Sequence, residues 1–247
     1  MLATRWPNAV ADAVGHAIAS RGPSLCAICR GWGRGRICAS CLDRFAVPVP
    51  RCRRCALPLV ATASVCGACL TTAPPFDAAI AAVDYRAPWD RLVSAFKFHG
   101  QLDLAAVFAD LLAGAERTRA APRPSLVLPV PLAAARWRER GYNQAWELAR
   151  RVARRLGIVA EPKLLLRLRE TAHQLALPLA ARADNVRGAF AVEPRRRAEL
   201  RGRHVAIVDD VMTTASTAAE IAGVARQAGA ATVEIWVLAR TPRPGDA

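Results

Sequence analysis

Two adjacent acids, Asp209 and Asp210, end an apolar run at residues 205–208 and are followed by Val211, Met212, Thr213, Thr214, Ala215, Ser216 and Thr217. Carboxylates so placed can accept hydrogen bonds from two ribose hydroxyls, while the amides and hydroxyls of the following turn can surround a 5′-phosphate. Residues 216–228 carry apolar side chains at helical spacing, with Gly229 as a C-cap. Thr213 to Thr217 then fall at a helix N-terminus, where unpaired N–H groups and the positive end of the helix dipole attract an anion. The segment reads as a buried strand whose end holds a sugar phosphate. Paired acids can also bind magnesium or stand as solvated strand ends. A phosphorelay receiver opens on similar acids but needs most of its domain after them, and 37 residues follow Asp210 (247 − 210).

The second chemical feature is sulfur. Cys26 and Cys29, Cys38 and Cys41, Cys52 and Cys55, and Cys66 and Cys69 form four CxxC knuckles, and they are all the cysteines of the chain. Each knuckle offers two thiolates from one tight turn, and two knuckles close a tetrahedral zinc shell, so eight thiols suit two structural zinc ions. Pairing in sequence order is the simplest assignment; an interleaved one stays open. A redox dithiol needs only one CxxC, and a disulfide framework needs an oxidising compartment. Arg30, Arg34, Arg36, Arg51, Arg53 and Arg54 interleave with the knuckles, beside Trp32 and Phe45. Cations for a phosphate backbone and aromatics for stacking make single-stranded DNA a candidate partner, although small cores also use aromatics as filling.

The elements that must position these groups follow from pattern. Residues 25–75 are rich in Gly, Pro, Arg and Cys, too poor in apolar periods for much of a core, and need a staple such as metal. A linker at residues 71–75 ends on Pro74-Pro75. Beyond it, residues 76–242 alternate strands (78–85, 125–130, 164–168, 205–208, 232–238) with helices (89–98, 102–112, 142–156, 216–228), and a polar loop with helical turns reaches Arg187. Such alternation argues a parallel sheet with helices on both faces, whose ligands lie beyond the carboxyl ends of the strands, where Asp209 and Asp210 fall. Residues 1–24 form an extension and 243–247 a tail. Asn8, Asp12 and His16 interrupt the apolar core an export signal needs, whereas Val10, Val14 and Ile18 suit a short amphipathic helix. With no apolar stretch of membrane-spanning length, the expected location is the cytoplasm. The balance of 35 Lys and Arg against 20 Asp and Glu, +15, is almost all arginine and favours anionic partners, or reflects arginine usage and solubility alone.

Residues 209–217 resemble the phosphoribosyl pyrophosphate (PRPP) loop of type I phosphoribosyltransferases. Two further stretches resemble signatures of one branch, the ComF family linked to DNA uptake in competent bacteria. They are Val130-Pro131-Leu132 with Arg136, Arg138 and Arg140-Gly141-Tyr142-Asn143-Gln144, and Arg169, Thr171, Gln174, Arg182, Asn185-Val186, Gly188 and Ala189-Phe190. The double zinc ribbon agrees, and the likeness covers residues 25–240 in matching order.

This resemblance implies an α/β fold: a type I phosphoribosyltransferase-like parallel sheet flanked by helices, preceded by a small zinc-ribbon domain. It implies PRPP or a related sugar phosphate as ligand, with the ribose at Asp209 and Asp210, the phosphate in the turn to Thr217, and the pyrophosphate at Val130 and Pro131. Arg136 and Arg140 would stand nearest the diphosphate as bidentate donors, and magnesium would bridge ribose and pyrophosphate. In an active member, Asp209 and Asp210 would serve ribose 5-phosphate transfer through an oxocarbenium-like transition state, by positioning and charge stabilisation. The alternative is a non-catalytic nucleic-acid-binding or regulatory protein using the pocket as a sensor, with membrane-associated DNA-uptake machinery as a further partner. Ala215 stands where the loop usually has Gly, and a left-handed backbone there costs alanine about 1 kcal/mol or more. Binding is therefore expected to survive more safely than catalysis, and no nucleobase-binding hood is recognisable. Asn143 and Gln144 also read as helix-start residues, Asn143 as a cap.

Overall fold

The computed structural model describes residues 23–59, 63–169 and 185–242. The expected helix carrying Val10, Val14 and Ile18, the signature residues Thr171, Gln174 and Arg182, and the tail lie outside these residues.

The cysteine-bearing segment opens with an antiparallel pair, β1 (Pro23–Leu25) and β2 (Trp32–Arg34), and two short helices, α1 (Ala39–Phe45) and α2 (Gly67–Thr71). Next come β3 (Ala78–Asp84), α3 (Trp89–Phe98), α4 (Leu104–Arg117) and β4 (Leu126–Pro129). After α5 (Ala134–Arg140) and α6 (Gln144–Leu156) follow three short strands, β5 (Val159–Ala160), β6 (Leu165–Arg167) and β7 (Phe190–Val192), and a 3-10 helix (Pro194–Leu200). Then β8 (His204–Met212), α7 (Ser216–Gln227) and β9 (Thr232–Arg240) complete the fold.

Five strands form one parallel sheet in the order β3-β9-β8-β4-β5. Its central strands are buried on both faces and accordingly read as near-continuous apolar runs. Ala206, Val208, Trp236 and Leu238 face α3, α4 and α6, while Val205, Ile207, Ile235 and Val237 face α7 and the antiparallel pair β6-β7. Ile37, Leu42, Cys26 and Cys41 join the first of these cores, so part of the cysteine segment packs directly on the sheet layer.

The structure extends the sequence expectation in the sheet and beside it, as it does with the short elements of the cysteine segment and the 3-10 helix. β8 runs through the acids to Met212, because Asp209 pairs with Val237, Val211 with Ala239 and Met212 with Arg240. The strand expected at 164–168 pairs with the unforeseen β7, off the main sheet. β5 was also unforeseen, being only two residues long. α5 buries none of its residues, so it carries no apolar period by which sequence could reveal it.

Candidate functional site

A cavity opens at the carboxyl ends of β4 and β8, the place where parallel sheets hold ligands. Its wall includes Val130 and Pro131 after β4, Arg136 on α5, Asp209 and Asp210 on β8, and the turn leading into α7. Sites separated by some 80 residues in sequence meet because β4 and β8 are hydrogen-bonded neighbours, Val130 N–H donating to the Val208 oxygen at 2.9 Å. Asn143 locks the corner. Its Oδ1 accepts the amides of Ala145 (2.9 Å) and Trp146 (3.4 Å), and its Nδ2 donates to the Val130 oxygen at 3.0 Å. One residue thus caps α6 and fixes the turn after β4.

Strand alternation sends the two acids to opposite faces of β8. Asp209 is half-buried, and its Oδ1 accepts the Asp210 amide at 2.9 Å. Asp210 is buried at 1 % exposure on the side of Ala206 and Val208, where Lys97 Nζ of α3 meets its Oδ2 at 2.8 Å. Burial pushes the Asp210 carboxyl up, but the Lys97 ammonium, then the hydrogen bond with Asp209 and that with Gln144, outweigh it and hold the group below its ordinary value. Burial and the neighbouring Asp210 push Asp209 well above the usual carboxylate range. Burial works against the charge on Lys97, yet Asp210 and then Asp209 raise it above an ordinary lysine. The two neighbouring carboxyls are thus shifted in opposite directions, Asp209 upward by burial and by Asp210, and Asp210 downward by Lys97.

Arg136 lines the cavity. Arg140 stands one step behind it: its Nη1 donates to Gln144 Oε1 at 2.9 Å, and its guanidinium lies 4.8 Å from the centre of the Phe98 ring. It also interacts electrostatically with Asp210. Lys97 went unnoticed in the sequence, although one signal existed: it is one of two lysines in an arginine-rich chain. Arg167, from β6, also lines the cavity and was likewise missed.

The turn enters α7 through a left-handed residue. Ala215 takes φ +67, ψ 8, the left-handed conformation foreseen as costly, and offers α7 no side-chain cap. Thr214 Oγ1 and Ser216 Oγ lie 2.9 Å apart. With no acid in its first turn, α7 directs its positive dipole end at the cavity.

The eight thiols gather in sequence order. Cys26, Cys29, Cys38 and Cys41 form one group and Cys52, Cys55, Cys66 and Cys69 the other, with ligand atoms in each within 4.8 Å of one another. The Cys29–Cys38 and Cys55–Cys66 sulfur separations are 3.8 and 3.6 Å. A tetrahedral zinc shell with Zn–S near 2.3 Å has edges of about 3.8 Å, so both groups fit that ion. Burial raises the Cys26 and Cys52 thiols, but backbone N–H donors, led by Cys38 and Cys66, outweigh it and bring them to about 6 and about 7. That favours the thiolate a metal requires. Of the six arginines among the knuckles, Arg36 pairs with Asp103 (2.6 Å), Arg51 with Asp84 (2.7 Å), and Arg54 donates to the Cys69 oxygen. Arg30, Arg34 and Arg53 remain exposed, as does Trp32 at 78 %. Phe45 instead packs partly into the core, its carbonyl accepting the Trp89 indole N–H.

No protein-family model matches the chain. Among solved structures, it is similar to a glutamine PRPP amidotransferase from B. subtilis (TM-score 0.40, 20% identity, 59% of this chain and 30% of that one). It is also similar to an adenine phosphoribosyltransferase from Leishmania tarentolae (TM-score 0.38, 15% identity, 66% and 76%). Curated sequences are far nearer. The chain is 37% identical over 229 residues to the DNA utilization protein YhgH of Salmonella typhi, covering 89% of this chain and 98% of that protein. It is 33% identical over 222 residues to competence protein F of Haemophilus influenzae, covering 87% and 96%. These alignments span nearly the whole of both relatives, and the chain belongs to the family of DNA utilization protein YhgH and competence protein F (ComF).

Proposed function

We propose that the cavity binds PRPP or a related sugar phosphate, and that through it the protein acts in DNA uptake and handling or in nucleotide-linked metabolism. The observation that carries this reading is the junction of Asp209 and Asp210 with the left-handed turn at Ala215, by which both acids and a helix N-terminus without a side-chain cap line one cavity. The acids take the ribose hydroxyls, the 213–217 turn takes the 5′-phosphate, and the turn at Val130 and Pro131 with Arg136 takes the diphosphate. Magnesium would arrive with the ligand's diphosphate and neutralise part of its charge. Transfer of the sugar to an acceptor is the further step a phosphoribosyltransferase would make; the proposal is for binding first. The units at 25–75 and 76–242 divide the work, the first holding two zinc ions and the second the ligand. A second partner, single-stranded DNA, is favoured by Trp32 exposed between Arg30 and Arg34.

Calorimetry with PRPP and magnesium tests the assignment. Saturable binding is expected, and Asp209→Asn combined with Asp210→Asn abolishes it; an affinity unchanged in the double variant sinks the reading. Pyrophosphate release from PRPP, screened against candidate bases and nucleic acids, separates binding from turnover.

A further inference from the structure

Arg240 ends β9 and is 5 % exposed. Its Nη1 donates to the backbone oxygens of Met212 (2.8 Å), Thr213 (2.5 Å) and Thr241 (2.9 Å), and its Nε donates to the Cys55 oxygen at 2.9 Å. Met212 and Thr213 are the root of the phosphate turn. Cys55 belongs to the second four-thiol group, its sulfur 3.6 Å from that of Cys66. A single planar guanidinium therefore spans from a metal knuckle to the base of the turn, and its rigid fork transmits a shift at one end to the other.

The knuckle is held on the sheet at further points. The Arg53 oxygen accepts the Ala79 amide of β3 at 3.1 Å. Arg51 pairs with Asp84 at the end of β3 and donates to the Ala56 oxygen at 3.2 Å. Ala56, fully buried at φ +58, packs in the same apolar cluster as Ile207 and Met212. The segment 55–57 is thus wedged against the strand ends that carry the turn. Opening the second cysteine group would carry the Cys55 carbonyl away and leave a buried guanidinium donor short of an acceptor, a costly state.

We propose that Arg240 is a positioning residue that couples metal occupancy of Cys52, Cys55, Cys66 and Cys69 to the shape of the 213–217 turn. The turn holds an anion well only while that group is closed around its ion, and by linkage a ligand in the turn retards metal loss. The consequence for ligand affinity rests on the proposed sugar-phosphate site; the coupling between metal group and turn does not.

Hydrogen–deuterium exchange of the full chain, read at the root of the turn, at the amides of residues 209–212 and of Thr241, whose N–H donates to the Met212 oxygen at 3.1 Å, with zinc content measured alongside, tests it. In the zinc-loaded protein these amides exchange slowly, and stepwise chelation raises their rate roughly tenfold or more, the scale expected for freeing hydrogen bonds to a charged group. Arg240→Lys keeps both zinc ions but cannot span both ends, so its turn exchanges at the raised rate and chelation adds little. A wild-type turn indifferent to zinc overturns the proposal, as does an Arg240→Lys turn as slow and as zinc-sensitive as the wild type. Calorimetry with PRPP on the same samples separates the two readings. A zinc-sensitive turn that never binds PRPP refutes the proposed ligand alone, and PRPP binding with a zinc-insensitive turn refutes the coupling alone.

Discussion

Lys97→Met removes the cation 2.8 Å from Asp210 while retaining much of the side chain's bulk. Two charges about 4 Å apart attract by about 4 kcal/mol at an effective dielectric of about 20, a gross value that desolvation of both partners largely offsets. Breaking a buried pair from one side is a different matter and costs about 3–5 kcal/mol, because the remaining charge is left unpaired. The Asp210 side chain is 2 % exposed and that of Lys97 25 %. Screening at the lysine end lowers the expected loss to about 2–3 kcal/mol near neutral pH. The pH dependence follows from the directions of the shifts. Asp210 is held below its ordinary 3.8, so its stabilisation is present above that value and is lost as pH falls through the lower folded value. Lys97 is raised above 10.5, so its share is present below that value and lost as pH rises through the folded one. In the variant, Asp210 loses its partner and takes up a proton more readily. Urea denaturation of wild type and variant at constant ionic strength should show the full penalty at about pH 7.5 and a clearly smaller one at about pH 3.5. A penalty under about 0.5 kcal/mol at the higher pH, or one that grows on acidification, refutes the reasoning.

Two other changes probe the turn and the basic knuckles. Ala215→Gly relieves about 1–2 kcal/mol of left-handed backbone strain and gives back about 0.5–1 kcal/mol in chain entropy. A net gain of about 0.5–1 kcal/mol, seen as a melting temperature higher by about 1–4 °C, is expected, and a lower one contradicts the strain at φ +67. If Arg30, Arg34 and Arg53 grip single-stranded DNA, affinity falls with salt at a log–log slope of about −2, and Trp32→Ala weakens it by about 1–3 kcal/mol. A salt-independent signal, or no change with Trp32→Ala, removes that role.

Much of the fold was legible because local pattern and tertiary environment agree. Strands 3, 4, 8 and 9 of the sheet read as apolar runs since both their faces are buried, and α6 shows its stripe because only one face is. Among the elements that escaped, those without a period stand out: α5, which buries nothing, and β5 and β7, two and three residues long. At the site, the cysteine groups and the acid pair were visible as fixed spacings within short segments. Lys97, Gln144 acting on Asp210, and Arg240 were not, since each acts on a residue dozens of positions away.

The amino-acid order alone specified the four CxxC knuckles, the adjacent acids and the hydroxyl-rich turn, because a tight knuckle or a strand-to-helix turn brings near neighbours together whatever the rest of the chain does, whereas the pairing of the knuckles in sequence order came from the fold. The directions of the carboxyl shifts and the long-range contacts came from tertiary packing. Sheet register places Asp210 against α3, where Lys97 holds its carboxyl below the ordinary value, while burial and Asp210 push Asp209 above it. The same packing brings the end of β9 between a cysteine knuckle and the 213–217 turn, so that one buried arginine touches both. Such contacts depend on which strands are neighbours and which helix crosses them, and no spacing along a chain carries that information.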